Sequence, residues 1–328
     1  MTAASDSRLG EESLAMLAAL IDGDVTLAAR IATSMLDQGS SLDEIVGDVL
    51  RPVQAEVGAR WAQGDLGIAY EHAATAAVEE LLVRLSSTAR PAAGPTVVVA
   101  VPELDPHALG ARAVAAACTL DGFRVCYLGP SLPAADLEEY LDLQIPMALV
   151  LSCAVPTALA SAARSIAAAH RLDLPVVGGG RAFGAHRRGL RLGLDALAAS
   201  TAEAVAVLRD WETEPPTVLA IAPDPVPEAR ELARRRPWLV AAALDGASDV
   251  GDRARALGDE MARVLDVAEG AVLLDESAVL GEHVAWLRAT SAAHGVPESV
   301  LEGALSALAG ALDTGLDRFA AAVRAACS

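Results

Sequence analysis

Apolar residues in the first part of the chain recur at intervals of three and four, which is the spacing of a helix that buries one face. The apolar runs are interrupted at Gly23, at residues 39–41 and at residues 64–67. Four helices are therefore predicted, and short amphipathic helices joined in this way pack into a bundle. We expect a four-helix bundle over residues 1–90.

The period of the pattern changes after a proline-containing linker at residues 89–95. Residues 96–101 form a mostly β-branched run, as expected for a strand that is buried on both faces of a parallel sheet. Helix-like and strand-like segments then alternate: helix 109–120, strand 124–128, helix 134–141, strand 147–151, helix 157–170, strand 175–177 and helix 202–211. This alternation predicts a doubly wound, Rossmann-like domain over residues 91–214, whose ligand lies beyond the carboxyl ends of the strands.

A second linker, at residues 212–216, precedes a third region over residues 215–328. Its pattern is mostly helical, and both Pro227-Glu228 and Pro297-Glu298 fit the start of a helix, since proline suits the first turn and an acid suits its dipole. The predicted fold class is therefore α/β plus all-α.

Charge and composition exclude several classes of function. Acidic residues outnumber basic residues 44 to 25, and the net charge of −19 would repel a nucleic acid backbone. All 25 basic residues are arginine, which excludes a Schiff-base lysine and the lysine of a phosphate-binding P-loop. The four cysteines have no metal-ligand spacing, and residues 1–12 lack the order of a secretory signal. We expect a cytoplasmic protein.

One uncharged stretch, residues 143–163, is long enough to span a bilayer. Pro146 and Pro156 interrupt it, and a short apolar run followed by a helical segment accounts for the same residues. We expect a strand, a turn and a helix here, and no membrane span.

A possible ligand for a metal follows the first predicted strand. Asp105, His107 and Gly110 form the pattern D-x-H-x-x-G in this loop. A histidine beside a carboxylate can bind a metal through one ring nitrogen while the acid holds the other. Taken alone, the pattern also fits a histidine in a solvated loop.

Small residues follow two further strands of the predicted sheet. Ser152 comes after the third strand, and Gly178 and Gly179 come after the fourth. The carboxyl ends of parallel strands meet at one edge, so these residues join His107 and leave room for a long ligand tail. This constellation resembles the cobalamin-binding domain of methionine synthases, corrinoid proteins and cobalamin-dependent mutases, over residues 94–212.

The resemblance assigns roles to these residues. It implies that His107 is the lower axial ligand of cobalt, displacing the dimethylbenzimidazole of the cofactor, and that Asp105 orients it. It also implies that Ser152 and residues 178–179 border the slot for the nucleotide tail. Ala154 departs from the family, which usually has leucine or threonine two residues after the serine.

The helical bundle carries a second pattern. Trp61 ends the third predicted helix, and Glu71 and His72 open the fourth, with nine residues between Trp61 and Glu71. The same residues also fit a tryptophan in the core of the bundle and two polar residues at the start of a helix. Directly before a cobalamin-binding domain, however, the spacing resembles the light-sensing module of CarH-type photoreceptors, in which a W-x9-E-H motif caps 5'-deoxyadenosylcobalamin. The resemblance implies that Trp61 packs against the adenosyl group and that Glu71 contacts it.

The chain departs from those photoreceptors in two ways. It starts directly with the bundle and has no helix-turn-helix pattern, so we expect no direct binding to DNA. In the family a histidine follows the tryptophan and captures cobalt after photolysis, whereas this chain has Ala62. Only His72 or water would then replace that histidine.

The third region resembles the C-terminal domain of photocobilins, a globin-like domain that binds a bilin beside the cobalamin. The resemblance implies bilin contacts, with biliverdin as the candidate chromophore, at His283, Trp286, Arg288 and His294. Residues 283 and 286 share a helical face, so Trp286 also fits a core position. Arginine and histidine suit the propionates of a bilin. Cys327 is a further candidate for attachment.

The sequence therefore predicts a photoreceptor that is not an enzyme. It would lose its adenosyl group on illumination and signal through a homo-oligomer or a separate output protein. The alternative is a corrinoid methyl carrier, which also joins a bundle to this α/β domain but must open its upper face to a methyltransferase. A cobalamin-binding scaffold without photochemistry is a third reading, and a mutase is disfavoured because no substrate barrel is present.

Overall fold

The computed structural model describes residues 10–87, 93–218, 228–247, 251–313 and 315–327, with the backbone alone for residue 252. Within these ranges, the chain forms a helical bundle, a parallel α/β domain and a C-terminal group of helices, in that order. The predicted fold class is confirmed. Residues 89–92 of the first linker and Pro227 lie outside the described residues.

Four helices build the bundle, as the periodicity predicts. They are α1 (Glu11–Ile21), α2 (Val25–Asp37), a third helix made of α3 (Leu42–Glu44), a π-helical turn (Ile45–Leu50) and α4 (Arg51–Ala62), and finally α5 (Ile68–Ser86). Asp24 caps α2 by accepting a hydrogen bond from Leu27 N at 2.8 Å. Ser41 and Glu44 form a reciprocal capping box at the start of α3. Both caps pair N–H groups that a helix start leaves free, and so fix where these helices begin.

The α/β domain contains one sheet of five parallel strands in the order β2-β1-β3-β4-β5. The strands are β1 (Thr96–Pro102), β2 (Arg124–Leu132), β3 (Ala148–Ser152), β4 (Val176–Gly179) and β5 (Ala196–Leu197). The helices are α6 (Leu109–Leu120), α7 (Ala134–Gln144), α8 (Leu159–His170), the short α9 (Arg181–Gly184) and α10 (Arg188–Arg191), and α11 (Thr201–Thr213). Strand order reverses between β1 and β3, so their carboxyl ends form the switch point where ligands of such sheets bind.

The structure corrects several predicted boundaries. β5 was missed because two residues are too few to show a periodic pattern. Residues 178–179 lie inside β4 and Ser152 ends β3, whereas all three were placed in loops. Gly110 lies in the first turn of α6. Residues 212–213, assigned to the linker, belong to the last turn of α11.

The uncharged stretch at residues 143–163 is divided among several elements. It contains the end of α7, all of β3, a 3-10 turn (Pro156–Ala158) and the start of α8. Among the described residues, no helix is both long enough and apolar enough to cross a membrane.

The bundle is anchored to the α/β domain at two places. Small side chains on α6, Ala113 and Ala116, join the apolar core of the bundle. Asp43 Oδ1 accepts hydrogen bonds from Thr201 Oγ1 at 2.5 Å and from Ala202 N at 2.9 Å, at the start of α11. Burial alone would raise the pKa of Asp43, but these hydrogen bonds lower it below its ordinary value. The bundle is thus held at the edge of the sheet where the strands end.

The C-terminal region is helical, as predicted. Its helices are α12 (Ala229–Gly246), α13 (Ala254–Leu274), α14 (Ala278–Ala293), α15 (Glu298–Leu312) and α16 (Asp317–Cys327). α13 packs closely on α8, since a Cβ at Gly270 would lie 3.0 Å from Leu159 Cβ. The apolar core is continuous between these helices and the sheet, whereas the bundle residues form a second core together with α6.

A buried ion pair fastens the C-terminal helices to the α/β domain. Arg188 is almost fully buried and donates to Glu276 Oε1 from both Nε, at 2.9 Å, and Nη2, at 2.6 Å. Arg191 donates to the other oxygen, Oε2, at 2.5 Å. Burial opposes ionisation of Glu276, but the hydrogen bonds and charges of the two arginines outweigh it and lower the pKa of this carboxyl below its ordinary value of 4.5.

We predict that Glu276→Gln loosens this interface. It removes the nearer counter-charge of buried Arg188 and leaves Glu282, whose Oε2 lies 3.5 Å from Arg188 Nη2. This should reduce the free energy of unfolding by about 3 kcal/mol. Urea denaturation measures the change, and Arg84→Gln is the control because its pair with Glu80 is half exposed and should contribute less than about 1 kcal/mol. Equal effects of the two substitutions would contradict the assignment.

The same pair should make stability depend on pH. A carboxyl whose pKa is lower in the folded state stabilises the fold fully above the unfolded value, here 4.5, and this contribution is lost as the pH falls through the folded pKa. Below that value, wild type and Glu276→Gln should therefore converge in their urea midpoints. Midpoints that stay equally far apart at low pH would show that the charge of Glu276 is not the cause.

Candidate functional site

The loop after β1 holds a histidine against a buried carboxylate. His107 Nδ1 lies 2.8 Å from Asp105 Oδ1, and His107 N donates to the same oxygen at 2.9 Å. Because a carboxylate accepts, Nδ1 carries the proton and the lone pair of neutral His107 lies on Nε2. The Asp105 side chain is fully buried while that of His107 is 56% exposed. The structure therefore presents an oriented imidazole with a free donor atom.

Asp105 also joins the two strands at the switch point. Its second oxygen, Oδ2, accepts a hydrogen bond from Ala154 N at 2.6 Å, in the loop after β3. Ala154, the residue that departs from the family pattern, thus contributes its backbone N–H. Its small side chain does not affect this hydrogen bond. Sequence patterns carry no signal for a backbone donor of this kind.

Two hydroxyl groups hold the rest of the loop in place. Thr157 Oγ1 donates to the Leu104 carbonyl at 3.4 Å, and Ser161 Oγ donates to the Glu103 carbonyl. Leu104 itself has a positive φ of 70° and is 40% exposed. The sequence did not identify Thr157 and Ser161 as site residues, because threonine and serine near a helix start more often form hydrogen bonds with the backbone of that helix.

The predicted tail residues lie together, with protein atoms close around them. A Cβ at Gly110 would lie 2.8 Å from Ser152 Oγ, so the glycine lets α6 approach β3. At Gly178 a Cβ would lie 2.3 Å from Leu194 Cδ1, and at Gly179 it would lie 3.1 Å from the Ala198 carbonyl oxygen. The end of the Leu194 side chain fills the space above Gly178. Leu194 belongs to the apolar core, so the space on this face of Gly178 is occupied.

The bundle presents Glu71 and His72 in the first turns of α5. His72 Nδ1 lies 2.6 Å from Glu71 Oε2, and Thr75 Oγ1 donates to Glu71 Oε1 at 3.1 Å. The His72 side chain is 73% exposed. Ile68 and Tyr70, on the same turn, are also half exposed. Large apolar side chains beside a polar pair give this surface the character of a binding site.

Trp61, at the end of α4, contacts the C-terminal helices. Its ring centroid lies 6.5 Å from that of Trp286 and 5.6 Å from that of His294. A Cβ at Gly64 would lie 3.4 Å from the Ala293 carbonyl oxygen, so the two backbones also come close. Trp286 is 44% exposed. The alternative prediction from its helical spacing, that Trp286 lies in the core, is therefore wrong.

The four candidate bilin residues are divided between two environments. Trp286 and His294 lie against Trp61, and His283 stacks on Trp286 with ring centroids 5.8 Å apart. Arg288 instead binds Glu302 through two hydrogen bonds, at 2.7 and 3.0 Å, and donates to the Cys327 carbonyl at 3.2 Å. Its charge is therefore already compensated.

His283 is the least satisfied of these residues. It is 8% exposed, and its Nε2 is one of the few buried side-chain atoms in the described part of the chain without a hydrogen-bond partner. Burial lowers the pKa of this imidazole, against a smaller opposing effect of Glu260. We conclude that His283 is neutral and has an unused polar atom inside the C-terminal helices.

Known proteins resemble the first two domains. Family models of the B12 binding domain match residues 15–86 and residues 95–209. Similar solved structures include the monomethylamine corrinoid protein of Methanosarcina barkeri, 20% identical over 60% of this chain and 95% of its own, with a TM-score of 0.49. A cobalamin-binding protein from Desulfitobacterium hafniense is 22% identical over 60% of this chain and 97% of its own, with a TM-score of 0.34.

A third similar chain comes from a methanol:cobalamin methyltransferase complex of Methanosarcina barkeri. It is 19% identical over 64% of this chain and 83% of its own, with a TM-score of 0.36. A search of curated protein sequences found no match.

The residues at the switch point fit a corrinoid. A corrin supplies four nitrogen atoms to cobalt, so the protein needs to supply only one or two. Among the described residues no group of three or more histidine, cysteine, aspartate or glutamate side chains is placed to hold an ion without a corrin. His107 Nε2, with its other ring nitrogen held by a buried carboxylate, has the arrangement of a metal-binding imidazole.

We predict that Asp105→Asn weakens cobalamin binding. The amide nitrogen of asparagine cannot accept a hydrogen bond of the kind that His107 N and Ala154 N donate to the carboxylate, so thermal denaturation checks that the domain stays folded. The amide keeps the shape of the side chain but loses the charge that supports His107, and loss of such a partner lowers metal affinity by about 10–100-fold. Equilibrium dialysis with aquocobalamin measures the affinity. Asp142→Asn, at the exposed end of α7, is the matched control, and an equal loss there would contradict a specific role of Asp105.

The two family matches and the switch-point geometry lead to one conclusion. The matched segments cover the helical bundle and nearly all of the parallel sheet with its helices. The loop that carries Asp105 and His107 lies within the second segment. Residues 15–86 and 95–209 are B12 binding domains, and together they form a cobalamin-binding module.

Proposed function

We propose that this protein is a cobalamin-dependent photoreceptor and not an enzyme. It would bind 5'-deoxyadenosylcobalamin with His107 below the corrin and Trp61 above it. When bound, this cofactor supplies a cobalt–carbon bond that visible light breaks. The residues of the chain would hold the cofactor, shield the adenosyl group and respond to its departure.

The contact of Trp61 with Trp286 and His294 is the observation that carries the proposal. Both partner residues belong to the C-terminal helices, and their ring centroids lie 6.5 and 5.6 Å from that of Trp61. A side chain that packs on an adenosyl group would thus touch the C-terminal domain as well. Any change in the upper ligand would be felt directly by α14.

Glu71 would contact the polar groups of the adenosyl moiety. Its two carboxylate oxygens already bind His72 and Thr75, which holds the side chain in one position on the first turns of α5. Carboxylates accept hydrogen bonds strongly, and the ribose hydroxyls of an adenosyl group can donate them. Pre-ordered acceptors of this kind lower the entropy lost on binding.

Loss of the adenosyl group would shift the bundle against the other two domains. The C-terminal helices and the sheet share one apolar core, whereas the core of the bundle takes from the α/β domain the buried residues Ala113 and Ala116 of α6. Removing a ligand that contacts one arrangement more favourably than another changes the populations of both. We propose that the resulting signal passes to a second copy of the chain or to a separate output protein.

A bilin such as biliverdin would be a second chromophore in the C-terminal helices. His283, buried with an unpaired Nε2 and stacked on Trp286, supports this part of the proposal. It would donate to or accept from a polar group of the bilin. Arg288 is a poor partner for a propionate, because Glu302 already pairs with it.

A corrinoid methyl carrier is the alternative function. A carrier must expose the upper side of the corrin to a methyltransferase. The packing of α14 against Trp61, the residue that our proposal puts on that side, supports the photoreceptor instead. A carrier would also bind methylcobalamin at least as well as the adenosyl form. The preference between the two cofactors therefore separates the two functions.

We predict that Trp61→Ala weakens adenosylcobalamin binding selectively. Loss of a large aromatic contact should lower affinity for adenosylcobalamin by roughly tenfold or more and leave affinity for methylcobalamin nearly unchanged, as measured by equilibrium dialysis in the dark. Trp238→Ala is the control, since this tryptophan is half exposed and lies on α12.

The opposite pattern would overturn the photoreceptor proposal. A wild-type protein that prefers methylcobalamin, or a Trp61→Ala variant that loses both cofactors equally, would favour the methyl carrier.

A further inference from the structure

One face of α12 is basic and aromatic in an otherwise acidic chain. Four of the 25 arginines lie within residues 230–236, although the net charge of the whole chain is −19. Arg230, Arg234 and Trp238 are exposed and follow one another at intervals of four residues, so they lie on one side of the helix. We call this surface the α12 face. Tryptophan and arginine are enriched among the residues that contribute most to protein interfaces.

The other two arginines of this segment bond to the body of the C-terminal domain. Arg236 donates to the Ala262 carbonyl at 3.2 Å. Arg235 donates to the Ala311 carbonyl at 3.1 Å, and its Cζ lies 4.9 Å from the centroid of the Trp238 ring. Arg235 thus holds this ring in place while 52% of Trp238 stays exposed. An aromatic side chain that is ordered in advance loses less entropy when it binds a partner.

The stability of α12 itself does not account for the charges on the α12 face. Arg230 is the second residue of the helix, where the macrodipole disfavours a positive charge. Arg234 pairs with Glu231 of the same helix at 2.8 Å, but its side chain is 76% exposed, so this pair contributes little to folding. A negatively charged partner would compensate both arginines.

An acidic surface of matching size lies on α7. A shallow depression of about 400 Å³ is lined by Ala135, Glu138, Glu139, Asp142 and Leu172. We call this surface the α7 depression. The sequence contains no basic residue between positions 124 and 164. Asp142 lies in the last turn of α7, where the macrodipole disfavours a negative charge.

Two carboxylates of the α7 depression are available to a partner. Glu138 already binds Arg171 through two hydrogen bonds, at 2.8 and 2.5 Å. Glu139 and Asp142 are exposed, and no ion pair within the described residues joins either of them to a basic side chain. Residues 143 and 145, a leucine and an isoleucine, are 71% and 84% exposed, more than the other large apolar side chains of the described chain. Exposed apolar groups beside polar ones are typical of an interaction surface.

The two surfaces fit each other when the helices run antiparallel. Residues 230–238 span about 12 Å of α12 and residues 135–142 about 10 Å of α7, at a rise of about 1.5 Å per residue. With Trp238 placed over Ala135, each arginine of the α12 face lies opposite one exposed carboxylate. The pairs are Arg234 with Glu139 and Arg230 with Asp142. The N-terminus of α12 then meets the C-terminus of α7, so the helix dipoles attract as well.

We propose that the α12 face of one copy of this chain docks in the α7 depression of a second copy. A second copy is the partner because it is acidic overall and carries the complementary depression. In a two-fold dimer the contact occurs twice, and in a ring it occurs once per copy. The inference concerns assembly of the chain and uses neither the cofactor nor its photochemistry.

Sedimentation velocity of the full-length protein without cofactor, over a range of concentrations, measures this association. We expect the weight-average mass of wild type to rise with concentration in low salt, and to rise much less in molar salt, where the Debye length is about 3 Å. Trp238→Ala should weaken the association constant by about tenfold or more, as expected for a central aromatic residue. Arg234→Glu and Glu139→Arg should each remain monomeric over the same range, because each places like charges opposite one another.

A mixture of the two charge-reversed variants separates this contact from others. Arg234→Glu keeps an intact α7 depression and Glu139→Arg keeps an intact α12 face, while the two reversed surfaces also carry opposite charges. The mixture should therefore associate although neither variant does so alone, which also shows that both variants are folded. Arg84→Glu is the matched control, since Arg84 is half exposed and pairs with Glu80 of its own helix. It changes the net charge equally and should associate as wild type does.

Three results would overturn the proposal. They are a wild type that is monomeric at every concentration, a mixture of the charge-reversed variants that stays monomeric, and a loss of association in Arg84→Glu as large as that in Arg234→Glu. If a monomeric wild type binds anionic lipid vesicles or DNA and Trp238→Ala does not, the α12 face has another occupant. None of these results would contradict cobalamin binding, which equilibrium dialysis measures separately.

Discussion

The buried carboxylate of Asp105 is the constraint on which the cofactor site depends. It is fully buried, and a charge in that position is unfavourable unless hydrogen bonds compensate it. Three donors do so: the backbone and ring nitrogens of His107, after β1, and the backbone nitrogen of Ala154, after β3. One side chain therefore joins the two strands of the switch point and orients the imidazole between them. The rest of the site is arranged around this imidazole.

The contacts between domains are unequal, and this has a functional consequence. The C-terminal helices share an apolar core with the sheet and are fixed to it by the buried pair of Arg188 and Glu276. The core of the bundle extends to Ala113 and Ala116 of α6, and the bundle reaches the C-terminal helices through a few rings around Trp61. The contact between the bundle and the C-terminal helices is thus weaker than the contact between those helices and the sheet. The proposed photoreceptor uses the weaker contact to sense the upper ligand.

The sequence identified most elements because their burial is regular. The bundle helices bury faces that repeat at about 3.6 residues, whereas the central strands are buried on both faces and show as short continuous apolar runs. β5 escaped because it has only two residues. The predicted end of β4 was wrong because glycines such as Gly178 and Gly179 are typical of turns. In the structure both residues pair with β3.

The site was less visible in the sequence than the fold. The motif around His107 located the imidazole and its carboxylate, since both lie within three residues of each other. The contribution of Ala154 comes from a backbone N–H, which no residue type reveals. The contact of Trp61 with His294 joins positions that are distant in the chain, and helical spacing placed Trp286 equally well in a core. Contacts of this kind depend on how whole domains pack.

A photoreceptor function is tested most directly by the absorption spectrum of the full-length protein with adenosylcobalamin, recorded in the dark and after green illumination. We expect a light-driven change to the spectrum of a cobalamin without the adenosyl group, together with a change in the assembly state or in binding to an output protein. Photolysis no faster than that of the free cofactor, with no change in assembly, would contradict it.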